Sequence, residues 1–189
     1  MVKNRILLIG LGNILLRDEG VGVHAIHILK ERYHFSASLE IIDGGTLGLD
    51  LLPFLETCDK VLFVDAIDFG REPGYIGEIE DDEILPAFQT KLSVHHIGLA
   101  DLLLAAKWMD LKPAKICLIG IQPESVEMGL EKTDCIMGKL EELMDRVFQK
   151  LKAWGARCAL QSPGDSLKST TLLGPGRQVE LHSTQRRTR

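Results

Sequence analysis

Three residues with ligating or proton-carrying side chains stand where an apolar run meets polar chain: Glu19, Asp65 and His95. Glu19 lies in the segment Gly10–Gly20 that follows the apolar run Ile6–Ile9, and Asp65 directly follows Val61–Val64. His95 belongs to Ser93-Val94-His95-His96, just ahead of a helical pattern that opens near Ile97. Two carboxylate oxygens and one imidazole nitrogen suit a divalent transition metal, and three protein ligands leave a position for water or substrate. Each residue also has a plainer use on its own. Glu19 could favour the first turn of a helix, Asp65 could cap the next turn, and His95 could simply begin its helix. The trio becomes a site only if the fold gathers these segments.

The pattern of elements names the fold on which that depends. Short β-rich runs alternate with helical patterns, the signature of an α/β domain. The expected architecture has three layers, with a twisted, mainly parallel central sheet of about five strands and helices on both faces. Ile6–Ile9, Leu39–Ile42, Val61–Val64 and Ile116–Ile121 read as strands covered on both sides. Tyr75–Ile79 suits an additional edge strand, antiparallel to its neighbour. Helical spacing groups Val21, Ala25, Ile28 and Leu29; Leu47, Leu51 and Leu55; and Ile97–Met109. Thr133–Trp154 reads as a long amphipathic helix with Ile136, Leu140, Leu143, Val147 and Leu151 as its buried stripe. In such a sheet the functional crevice lies beyond the carboxyl ends of the strands, where strand order reverses.

Composition narrows the class further. With 45% hydrophobic residues and mean hydropathy of +0.06, the chain reads as a soluble domain without membrane insertion. The start of the chain is a poor signal peptide, because Gly10, Gly12 and Asn13 interrupt the apolar run and Arg17-Asp18-Glu19 follows it. Four scattered cysteines with no CxxC pair support neither a zinc knuckle nor a redox motif, and Cys117 reads as core; the expected compartment is the cytoplasm. Residues 1–155 are expected to form one α/β domain. Residues 156–189 carry six Lys or Arg against two Asp or Glu and read as a basic, disordered and dispensable tail. That leaves the first 155 residues near −9 and gives no reason to expect a nucleic acid partner. Gly10-x-Gly12 invites comparison with a dinucleotide-binding loop, but the third glycine should fall at Leu15 and the helix starts late, near Glu19. No Ser-His-Asp or Cys-His set stands out, which disfavours covalent proteolysis.

Gly10-Leu11-Gly12-Asn13-Ile14-Leu15-Leu16-Arg17-Asp18-Glu19-Gly20-Val21-Gly22 resembles the opening motif of the nickel–iron hydrogenase maturation endopeptidases. Asp43-Gly44-Gly45-Thr46-Leu47-Gly48, Asp65-Ala66, the segment Ser93–Asp101 and Gly120-Ile121-Gln122-Pro123-Glu124 are similar to that family's later motifs, in order, so the resemblance spans about residues 4–155. It implies an α/β fold, a metal-contacting trio at Glu19, Asp65 and His95, and a part for Asp43, Gly44 and Gly45 in recognising substrate. His96 stands where relatives often carry Gln and is an outer-shell candidate beside His95. The implied substrate is a hydrogenase large-subunit precursor already holding nickel, from which a C-terminal extension is removed. Two uses of the trio stay open: binding the substrate's nickel, or holding another divalent metal that activates water. A nickel-checkpoint protein without peptidase activity is the rival reading.

Overall fold

The computed structural model describes residues 5–90 and 97–160. Its centre is a five-stranded sheet built from β1 (Ile6–Leu11), β3 (Leu39–Gly45), β4 (Lys60–Ala66), β5 (Ile76–Glu80) and β6 (Lys115–Ile121), in the order β3-β1-β4-β6-β5. The first four run parallel, and β5 closes one edge antiparallel to β6. Two short strands, β2 (Tyr33–Phe35) and β7 (Cys158–Leu160), pair antiparallel apart from this sheet.

Alternation along each strand fills two core layers. Leu8, Leu62, Val64 and Ile119 face α1 (Val21–Arg32) and α5 (Asp134–Ala153). Leu7, Ile9, Val61 and Phe63 face the opposite layer, which contains α2 (Leu52–Leu55), α3 (Ile84–Thr90) and α4 (Ile97–Trp108). Each such side chain contributes roughly 1.5–3 kcal/mol by leaving water. All five residues of the expected α5 stripe are buried. Thr133 caps that helix, its hydroxyl oxygen accepting from the Ile136 amide. Cys117 is fully buried, as a core filler should be. Among the described residues no helix is long and apolar enough to cross a membrane.

Two expectations need correction. The helix read through Leu47, Leu51 and Leu55 is a 3-10 turn (Gly48–Leu51) followed by the single α turn of α2; Gly48 takes φ +54° and Leu47 is 47% exposed. The domain also continues past residue 155. Ala156 is buried and β7 pairs with β2, beside a cluster in which Tyr33, Phe35 and Phe148 pack together. The expected tail beyond 160 lies outside the described residues.

The parallel register aligns the strand ends. Gly10 lies opposite Asp43 on one side and Val64 on the other, so the segments that follow emerge side by side. From β1 the chain goes first to β3 and then crosses to β4, which makes the β1/β4 boundary the reversal point. There α1 begins almost in contact with the sheet. A Cβ on Gly22 would lie 2.1 Å from the Val64 carbonyl oxygen and 2.5 Å from that of Leu11. Both obstacles are backbone, so Gly22→Ala is expected to cost at least about 2–3 kcal/mol in a urea melt. Gly138→Ala in α5 meets nothing within 4 Å and should instead gain up to about 1 kcal/mol.

Candidate active site

A cleft of about 290 Å³ opens at the reversal point. Glu19 and Asp65 line it together with Leu11, Gly12, Gly45, Thr46, Leu51 and the N-terminal part of α4 at Gly98, Leu99 and Leu102. Local chain geometry puts each group there. After β1 the chain folds back through Gly12, whose φ of +115° and 1.8 Å approach to the Glu19 carbonyl oxygen, measured from an ideal Cβ, admit no side chain. A 3-10 turn at Arg17–Gly20 then delays α1 and sets Glu19 at the top of β1. On the neighbouring strand the register slips: Leu11 lies opposite Gly45 rather than Gly44, and the Gly12 amide donates to the Gly45 carbonyl at 3.0 Å. Such a bulge turns the chain beside a site.

Asp65 is the penultimate residue of β4 and is buried. Burial drives its carboxyl up to about 8, and the nearby charge of Glu19 adds to the rise; a 2.8 Å bond accepted from the Ala66 amide opposes both. A buried Asp65 with the Glu19 charge nearby favours its protonated form, and a cation placed against it would favour the ionised one. Oxygen donors of this kind, with open space beside them, fit a divalent cation. His95 and His96 lie outside the described residues, so of the expected trio the cleft gathers Glu19 and Asp65.

The Asp43-Gly44-Gly45 segment divides its roles. Gly45 lines the cleft, and Gly44 packs against Ile9 and Leu11, where a Cβ would come within 2.5 Å of the Ile9 side chain. Asp43 is exposed and turns its carboxylate to α1, where Oδ2 meets His27 Nε2 at 2.9 Å.

One residue of consequence escapes a reading by residue type. Asp18 is fully buried beside Glu19 and accepts four bonds. The amides of Glu124 (3.1 Å), Ser125 (2.9 Å) and Thr133 (2.7 Å) donate to it, as does the Thr133 hydroxyl (3.0 Å). The turn that presents Glu19 is thereby tied to the β6–α5 loop and to the cap of α5. Its position inside the long opening motif was the available signal. A similar clamp holds the loop after β4, where Gln122 accepts from the Phe69 amide at 2.7 Å and donates to Asp68 at 3.2 Å.

Among the described residues one other group has metal-ligand chemistry at close range: Glu78, Glu80 and Cys117. The Lys150 ammonium already bonds both carboxylates, and burial raises the Cys117 thiol so that it holds its proton. This group is a closed ion-pair cluster. Cys58 is likewise unsuited to attack, its thiol pushed up to about 12 by burial.

Fold and site define a small α/β protein whose cleft, among the described residues, offers carboxylates rather than an activated thiol. The family described as hydrogenase maturation protease matches residues 23–150, and the chain belongs to it. It is 37% identical over 154 residues to the hydrogenase expression/formation protein HupD of Rhodobacter capsulatus, covering 80% of this chain and 73% of that protein. Identity to the hydrogenase 2 maturation protease of Escherichia coli is 37% over 152 residues, covering 80% of this chain and 93% of the relative. Among solved structures, the hydrogenase maturating endopeptidase HybD from E. coli superposes with a TM-score of 0.79 at 35% identity, covering 83% of this chain and 98% of that one. The NiFe hydrogenase maturation protease HybD from Thermococcus kodakarensis follows at 0.66 and 26%, covering 77% and 98%. The protein is a hydrogenase maturation endopeptidase.

Proposed function

We propose that this endopeptidase removes the C-terminal extension of a nickel–iron hydrogenase large-subunit precursor, and that Glu19, Asp65 and His95 contact the nickel which that precursor already carries. The observation that supports the reading is the burial of Glu19 and Asp65 together at the sheet's reversal point, in a cleft with room for a cation. A metal arriving with the substrate relieves their mutual repulsion, so loaded precursor binds in preference to unloaded. When bound, the cation polarises a carbonyl oxygen near it. Glu19 and Asp65 hold the cation's position, and Gly45, lacking a side chain, leaves the cleft open along that wall. Asp43, exposed at the start of the same segment, would meet the flanking chain together with His27, to which its carboxylate is bonded. The cytoplasm is the compartment in keeping with four free cysteines.

Purified protein mixed with nickel-loaded and nickel-free precursor, followed by intact mass, tests this directly. Loaded precursor is expected to lose a C-terminal fragment with turnover, and unloaded precursor to remain whole. Binding without any mass change would establish the checkpoint reading instead. His95→Ala should abolish the preference for loaded precursor, and His96→Ala should be milder; the reverse ranking would move the ligand by one position.

A further inference from the structure

We propose that the lip of the cleft is an apolar docking surface for the precursor polypeptide on either side of the bond to be cut, formed by Ile14, Leu15, Met128 and Leu130 on one bank and Leu47 and Leu49 on the other. The inference rests on the proposed function and names the surface that would deliver the substrate. All six side chains are exposed, Met128 to 85%. Ile14 and Leu15 stand between Asn13 and Leu16, which both line the cleft; Leu47 stands between Thr46 and Gly48, which also line it.

Slack loops do not explain this exposure, because the first bank is fastened by its backbone. The Gly129 amide donates to the Leu15 carbonyl at 2.8 Å, and the Arg17 amide to the Gly129 carbonyl at 2.8 Å. Leu16 and Gly129 form a parallel bridge, and the Leu15 amide donates to Asn13 Oδ1 at 3.0 Å. The Asp18 bonds fix the root of the same bank. Large apolar side chains held outward on a rigid frame mark an interaction surface. Its continuity with the cleft selects the occupant. A chain that brings a peptide bond to Glu19 and Asp65 along the walls formed by Asn13, Leu16, Thr46 and Gly48 crosses this lip, whereas a second copy seated there would shut the substrate out.

The test is titration of a fluorescently labelled, nickel-loaded large-subunit precursor onto the full chain, with cleavage kinetics run in parallel. A Leu15→Gln/Met128→Gln double variant is expected to weaken Kd and raise KM at least about tenfold, with kcat within about twofold and Tm unchanged. Leu15→Met/Met128→Leu should restore both constants. Trp108→Gln is the control: Trp108 is 93% exposed, at the far end of the 12-residue α4, about 9 Å along the helix beyond Leu102, the last α4 residue to line the cleft. It should change nothing. An unchanged Kd in the double variant overturns the proposal, as does an equal loss in Trp108→Gln or a wild type that fails to bind precursor. A double variant with unchanged Kd but altered sedimentation mass would assign the lip to self-association and reject the proposal. Wild type that binds through the lip but never shortens the precursor would refute cleavage while the docking surface stands.

Discussion

Asp65→Asn is expected to raise the stability of the metal-free protein at neutral and alkaline pH while lowering cleavage at least about 100-fold. In the unfolded chain Asp65 ionises near its ordinary value of 3.8, whereas burial and the neighbouring Glu19 hold it at about 8 in the fold. Below about pH 4 both states keep the proton, and the residue adds no pH dependence. Between about pH 4 and pH 8 the unfolded chain alone gives it up, so native stability declines through this window; above about pH 8 the loss is complete. Asparagine keeps the shape and removes that decline. By scanning calorimetry in chelator, the variant should match wild type near pH 4 and exceed it near pH 8 by on the order of 2–5 kcal/mol. Added divalent cation should narrow the gap, since it stabilises only the ionised wild type. Equal stabilities near pH 8 would show that the fold already compensates the charge. The cleavage assay reads the other half: on the proposed role, an uncharged residue at this position would hold a cation less well.

Asp18→Ala is expected to destabilise the protein by about 3–5 kcal/mol and to abolish cleavage without touching a group that contacts substrate. Its side chain satisfies three backbone amides and one hydroxyl, all in buried or partly buried surroundings. Each donor left unmet costs roughly 1–3 kcal/mol, less whatever water can enter. Asp18→Asn should be milder, because the amide retains one acceptor oxygen. Urea melts give the magnitude. Hydrogen exchange gives the place, with protection expected to fall first at Ser125 and Thr133. A loss below about 1 kcal/mol, with protection at those amides intact, would mean that the turn holds itself.

Much of this is legible in the sequence. Ile6–Ile9 and the stripe from Ile136 to Leu151 carry their periodicity locally, and Tyr75–Ile79 stood out as an edge through its flanking glycine and acidic residues. Glu19 and Asp65 followed from the strand-end rule and the resemblance together. What escaped was non-local. β2 and β7 are three residues each, and they pair positions 33–35 with 158–160, too short and too far apart to leave a pattern. Leu47 fits a helical stripe by spacing, yet Gly48 at positive φ and Pro53 near the start of α2 break the helix that the spacing assumes. The direction of Asp43 depends on which face of β3 α1 covers, and the role of Asp18 depends on a loop more than a hundred residues away. Neither can be read from neighbours in the chain.

The close seating of α1 on the sheet has a kinetic consequence. Gly22 meets the carbonyls of Leu11 and Val64 with no side chain between them. There is nothing there to change rotamer, and the helix that follows Glu19 cannot slide without prising main chain from main chain. Little reorganisation energy is then spent in bringing Glu19 towards its partner, since one carboxylate is moored to the helix and the other to the strand against which that helix rests. A helix seated main chain to main chain in this way holds the spacing between Glu19 and Asp65, so on the proposed reading selection rests with the charge the precursor brings rather than with a movement of α1.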